Sequence, residues 1–184
     1  MFNFKITIEY DGTNFVGWQR QDNGLSIQEA IENAILKLTS EKITLFGAGR
    51  TDSGVHALGQ VAHFNLKKEI KTDNIRDGLN QHLRPYPIAI LHAEKIETSF
   101  HARFSAKKRN YKYVITNRRP PLTITKNKSW VVHKILNIEK MKKEAVFFKG
   151  KHNLEAFRSI NCQSNSALKT INDIKITDKN NDIY

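Results

Sequence analysis

The sequence predicts an α+β fold, a mixed or antiparallel sheet with helices packed on one face. Three observations predict it. Residues 3–10 and 60–66 alternate apolar and polar side chains with the period of half-buried strands. A segment after Ser26 carries apolar residues at helical spacing. Strand-like and helix-like segments alternate along the chain without an internal repeat or a low-complexity linker.

The first strand, residues 3–10, ends at Asp11-Gly12-Thr13, which opens a polar loop carrying Phe15, Trp18, Gln19, Arg20 and Gln21. Ser26 starts a helix, with Glu29 three residues later in a capping-box arrangement. Ile27, Ala30, Ile31, Ala34, Ile35 and Leu38 then form one apolar stripe for a sheet to cover. Lys42–Phe46 and Gln60–Leu66 read as strands into and out of a glycine-rich loop, with Ala62, Phe64 and Leu66 on one face. A second helix runs from Thr72 or Asp73 to about His82, facing Ile75, Leu79 and Leu83 inward, and Pro85 and Pro87 stop it. Ile88–Ile96 and Arg109–Thr116 read as further strands, and Pro120-Pro121 marks an irregular basic loop. A third helix, Ile138–Phe148, is capped by Asn137 and expected to bury Met141, Ala145 and Phe148. Thr170–Thr177 reads as a last strand, followed by a hairpin turn in the polar run after Asp178.

A chain of 184 residues with 39% hydrophobic content can bury a real core. Its net charge of +12 points to a polyanionic partner. The charge is not spread evenly: Thr98–Ile138 contains no Asp or Glu, but carries Arg103, Lys107, Lys108, Arg109, Lys112, Arg118, Arg119, Lys126, Lys128 and Lys134. Phe100, Phe104, Tyr111, Tyr113 and Trp130 are interleaved with them. Cations neutralise phosphates and aromatic faces stack on unpaired bases, a combination suited to looped or single-stranded RNA. The chain accordingly divides into an N-terminal half, 1–97, and a basic second half, 98–184. The single cysteine, Cys162, excludes an internal disulfide and a cysteine-rich zinc site, and the seven histidines lack the close helical spacing of metal ligands. The alternating N-terminal segment is unlike a signal peptide, and no apolar run approaches membrane-spanning length, so the expected location is cytoplasmic, away from membranes.

Residues 46–56 place one carboxylate, Asp52, in a loop with glycines at 47, 49 and 54, two residues after Arg50. The expectation is a loop at a sheet edge or cleft whose glycines adopt positive φ and approach a ligand closely. A guanidinium beside the acid favours its carboxylate form. The loop lacks the Gly-Lys-Ser/Thr ending of a P-loop, and the chain has no Gly-x-Gly-x-x-Gly fingerprint.

Together, Phe-Gly-Ala-Gly-Arg-Thr-Asp-Ser-Gly-Val-His-Ala at 46–57 resembles the central signature of the tRNA pseudouridine synthase A family. Glu-Tyr-Asp-Gly-Thr-Asn-Phe-Val-Gly-Trp-Gln-Arg-Gln at 9–21 and Phe-His-Ala-Arg-Phe-Ser-Ala-Lys-Lys-Arg-Asn-Tyr-Lys-Tyr at 100–113 extend the likeness. Phe157-Arg158 with Cys162-Gln163-Ser164 is similar to a later family element. The resemblance implies a pseudouridine synthase-like fold with an active-site cleft. It also implies isomerisation of uridine to pseudouridine at positions 38, 39 and 40 of the tRNA anticodon stem-loop, by a homodimer that needs no cofactor or metal. Asp52 matches the catalytic aspartate, Arg50 would help to hold the flipped RNA, and Tyr111, in preference to Tyr113, would stack on the extruded uracil. Arg20, Arg103, Lys107, Lys108, Arg109, Arg118 and Arg119 are the expected RNA-binding cations. Family members continue with a strand and a helix bearing a Phe-Leu/Val-x-x-Met-Val-Arg type motif, to which nothing here corresponds. A truncated, catalytically impaired RNA-binding remnant is therefore the alternative reading.

Overall fold

The computed structural model describes residues 1–158, 166–179 and 182–184. Cys162, Gln163 and Ser164 lie outside the described residues, as do the two at the tip of the expected C-terminal hairpin. The chain forms two compact units, Met1–Arg109 and Asn110–Tyr184.

The first unit is an antiparallel sheet under two helices. In chain order it contains β1 (Phe2–Tyr10), α1 (Ile27–Thr39), β2 (Phe46–Gly47), β3 (Ala57–Leu66), α2 (Thr72–His82) and β4 (Ile88–Ile96). The strand order is β2-β3-β1-β4. β1 is central, and its even-numbered residues Phe4, Ile6, Ile8 and Tyr10 are buried with Ala62, Phe64 and Leu66 of β3. The register pairs Phe4 with Phe64 and Ile6 with Ala62. Ile27, Ile31 and Ile35 of α1 and Ile75 and Leu79 of α2 complete this layer. Burying each such side chain contributes about 1.5–3 kcal/mol.

Ser26 caps α1 as its sequence predicts, its side chain accepting from the Glu29 N–H at 3.1 Å. α2 is fastened to β4 by Asn80, whose amide donates to the Ile90 carbonyl at 2.9 Å and accepts from the Ile90 N–H at 2.8 Å. The opposite face of the sheet is covered in part by residues 97–105. Buried Asn3 donates to the carbonyls of Glu97 and Phe100, and buried His63 accepts the Ala102 N–H at 3.1 Å.

The second unit contains β5 (Ile115–Thr116), β6 (Trp130–Val131), α3 (Ile138–Ala145), β7 (Gly150–Asn153), β8 (Leu168–Ile171), β9 (Asp178–Lys179) and β10 (Asp182–Ile183). One sheet has the order β6-β5-β10-β9, with β5 and β6 parallel, and β7 pairs with β8 in a separate ribbon. The Thr116 hydroxyl donates to Asp182 at 2.6 Å, joining β5 to the terminal hairpin.

Several element boundaries differ from expectation. The strand expected at Lys42–Phe46 is reduced to Phe46–Gly47, because β3 offers pairing only to those two residues. Arg109–Thr116 is extended only at Ile115–Thr116, so Tyr111 and Tyr113 lie on irregular chain and are 76% and 78% exposed instead of sharing a strand face. The strand expected at Thr170–Thr177 forms instead at Leu168–Ile171, where it pairs with Gly150–Asn153, and two short strands, β9 and β10, follow it. α3 is capped by Asn137 as expected but ends at Ala145 and continues as a 3₁₀ turn over Val146–Phe148. It buries none of its residues: Met141 and Ala145 are half-buried and Phe148 is exposed, since the unit offers only short strands for packing.

Candidate active site

Asp52 lies in the connection between β2 and β3, at the β2 edge of the first sheet, and it is exposed. The chain around it is held from three directions. From the end of β1, the Tyr10 hydroxyl meets the Thr51 hydroxyl at 2.7 Å. From the loop after β1, the Trp18 N–H donates to the Thr51 carbonyl at 3.0 Å and the Phe15 carbonyl accepts from the Ser53 hydroxyl at 3.1 Å. From β3, the Gln60 amide donates to the Gly49 carbonyl at 2.7 Å, and the Val61 carbonyl accepts from the Ala48 N–H at 2.8 Å. Burial pushes the Tyr10 phenol above its ordinary range, with hydrogen bonds to Thr51 and Gln60 acting in the opposite direction. The contacts on residues 48, 49, 51 and 53 flank Arg50 and Asp52, which both face solvent.

The far side of the loop is tied to Asp11-Gly12. His56 Nδ1 lies 3.1 Å from the Gly12 N–H and 3.1 Å from the Asp11 carboxylate. Either contact fastens residue 56 to the loop after β1. The approach is closest at Gly12, where a Cβ would stand 2.0 Å from the Val55 carbonyl oxygen. Of the three loop glycines expected to use positive φ, only Gly54 does, at 78°. Gly47 lies under the Trp18 ring instead, and Gly49 against the Arg109 side chain.

The structure brings Arg109 directly to this loop. Its Nη2 donates to the Ala48 carbonyl at 2.7 Å. Arg103 is exposed, its guanidinium 5.8 Å from the centre of the Phe104 ring, and Lys107 and Lys108 are exposed on the same segment. Arg20 is drawn to α1, 3.4 Å from Glu29 and 3.8 Å from Glu32. Tyr111, Arg118 and Arg119 are exposed in the second unit, where Arg118 donates to the carbonyls of Pro120 and Pro121 at 3.3 and 2.9 Å and so braces the Pro-Pro loop. Among the described residues, no three of His, Cys, Asp and Glu converge as metal ligands, and no helix is long and apolar enough to cross a membrane.

Sequence reasoning did not single out Tyr10, Thr51, Gln60 or His56 as loop supports. The first three are hydrogen-bonding residues in or beside segments already read as strand and loop, but no local pattern shows which partner each meets.

A family profile described as tRNA pseudouridine synthase matches residues 6–105, which include the Asp52 loop and its supports Tyr10, Phe15, Trp18, Gln60 and Val61. The chain is 53% identical over 175 residues to a tRNA pseudouridine synthase A of Ehrlichia ruminantium (strain Gardel), covering 95% of this chain and 71% of that protein. It is 53% identical over 181 residues to the protein of the same name in Ehrlichia chaffeensis, covering 98% and 74% of the two chains. Against that of Wolbachia pipientis wMel the identity is 49% over 182 residues, with 98% and 74% covered. With its glycine-rich aspartate loop, its sheet and a likeness that spans 95–98% of its own length and 71–74% of these relatives, the chain belongs to the tRNA pseudouridine synthase family.

Proposed function

We propose that this chain isomerises uridine to pseudouridine at positions 38, 39 and 40 of the tRNA anticodon stem-loop, with Asp52 as the nucleophile. The observation that carries this reading is an exposed carboxylate on a loop braced from three directions, inside the region that matches the family. Isomerisation of uridine in tRNA is what the relatives' shared name supports; the anticodon positions and the role of Asp52 rest on the resemblance of residues 46–57.

The reaction breaks the N1–C1′ bond of uridine, turns the base and joins C5 to C1′; a proton leaves C5 and N1 ends protonated. Nothing is oxidised or reduced overall. The target base must leave its stack to be turned, so RNA distortion is part of the task. Attack on the sugar, attack on the base, and proton removal leading to a glycal all require an accessible carboxylate, and Asp52 supplies one on a loop that need not reorganise. Arg50 holds the flipped RNA, and Tyr111 stacks on the extruded uracil. Arg20, Arg103, Lys107, Lys108, Arg118 and Arg119 contact the phosphate backbone, positioning the RNA without reading its bases. Arg109 does so with the donors left over from its bond to Ala48.

The test uses unmodified tRNAs in which uridine occupies one of positions 38, 39 and 40 at a time, with pseudouridine mapped by chemical labelling. Product at each of the three and at no other uridine is the expected result. Product at a different set of positions overturns the positional assignment, and binding without product supports the RNA-binding alternative.

A further inference from the structure

A second feature of the first unit starts at Phe46, where the chain enters the aspartate loop, and runs away from Asp52. Phe46, His63, His101 and Phe104 form a continuous aromatic ladder. Its ring centres are 5.1 Å apart for Phe46–His63, 4.6 Å for His63–His101, 5.3 Å for Phe46–His101 and 4.5 Å for His101–Phe104. The inner end is core, with His63 only 3% exposed, whereas the outer end is open, with Phe46 41% and Phe104 77% exposed. An aromatic ring presented to water on a mobile tip would need no explanation; this one is fixed. The His101 carbonyl accepts from the N–H groups of Phe104 and Ser105, His101 Nδ1 accepts from the Arg103 N–H at 3.2 Å, and His63 anchors Ala102. The turn therefore holds the Phe104 ring out with Arg103 beside it.

Position and charge identify the occupant. Phe46 is the first residue of the strand that enters the aspartate loop, and Arg109, five residues beyond Phe104, returns to bond Ala48 of that loop. The segment bearing Phe104 has cations at Arg103, Lys107 and Lys108 and no acid. An apolar protein surface would gain nothing from that charge, whereas an unpaired nucleotide offers a π face for the ring and a phosphate for the cations. We propose that Phe104 is a stacking platform for an unpaired base of the RNA, distinct from the uridine undergoing reaction, with Arg103 on its phosphate. This rests on the reading of RNA as substrate given above.

The experiment measures tRNA affinity at fixed salt for the full chain and for Phe104→Ala, Phe104→Leu and Phe104→Trp, with a thermal melt and a uridine-conversion assay for each. Loss of the π face should weaken binding roughly ten-fold in both the Ala and Leu variants, and Trp should restore it. The melts should coincide, because the ring is mostly exposed. Binding by Phe104→Ala or Phe104→Leu within two-fold of the original chain overturns the platform, as does failure of Trp to restore affinity, or failure of the original chain to bind tRNA. Conversion of uridine together with Phe104-independent binding defeats the platform alone, while Phe104-dependent binding without conversion defeats the isomerase reading alone.

Discussion

Asp52 sits on a loop whose neighbouring residues make the bonds. Thr51 spends its hydroxyl on Tyr10 and its carbonyl on Trp18, Ser53 reaches the Phe15 carbonyl, and Gly49 and Ala48 are held by Gln60, Val61 and Arg109. The place of the carboxylate is thus set by contacts made on its neighbours in the chain. Tyr10→Phe removes one support while preserving the buried ring, so it should destabilise the fold by about 1 kcal/mol in urea titrations. It should lower the rate of uridine conversion about ten-fold through loop misplacement, with tRNA affinity unchanged; unchanged turnover would show that the Tyr10 bond does not position Asp52. The loop was legible in the sequence because residues 46–57 resemble a family signature; Gly, Asp and Ser alone also suit an ordinary surface turn. Its supports were not, because Tyr10 and Thr51 are separated by 41 positions, and a contact of that span leaves no periodicity to read.

Among the elements, α1 was legible almost to the residue, since its cap and its apolar stripe are both local properties. α2 and β4 were legible for the same reason, with prolines marking the break between them. The expected strands at 42–46 and 109–116 were not sustained, because a strand exists only where a neighbour supplies its hydrogen bonds, and a single sequence does not reveal the neighbour. Likewise α3 carries an apolar stripe but finds little to cover it. The contact between β3 and residues 97–105 makes a pH prediction. Burial, together with the nearby His101, pushes His63 below its ordinary range, while the Phe46 backbone opposes the shift. Around it lie His101, Phe46, Phe100, Lys5 opposite it on β1 with its partner Glu94, and the Ala102 N–H, which needs the unprotonated Nδ1. Below the ordinary histidine value the unfolded chain binds a proton that folded His63 resists, so stability falls as pH drops through the window from about 6.5 down to the folded value. Urea midpoints between pH 8 and pH 5 should therefore decline on the acid side, and less steeply for His63→Gln. Equal slopes for the two chains would remove His63 as the cause.

At the scale of the whole molecule, the formal charge of +12 and the acid-free stretch from Thr98 to Ile138 set how the protein meets RNA. Phosphate neutralisation releases counterions, so tRNA affinity should fall steeply and log-linearly with salt. Lys107→Ala with Lys108→Ala should reduce that slope by roughly one to two without changing which uridines react; an unchanged slope would remove these two lysines from the phosphate contacts. The polyanionic partner was legible because charge sums over the chain regardless of fold. The bracing that sets Asp52 apart from an ordinary turn aspartate was not, because it is a property of the folded unit. The most direct measurement is therefore release of tritium from tRNA labelled at C5 of uridine, comparing the original chain with Asp52→Asn, alongside tRNA affinity. Release by the original chain, a loss of at least about 10³-fold in Asp52→Asn and affinities within about three-fold are the predicted result, since the amide keeps the shape but cannot act as the nucleophile. Equal release from both chains would contradict the assignment of Asp52 as the residue that performs the chemistry.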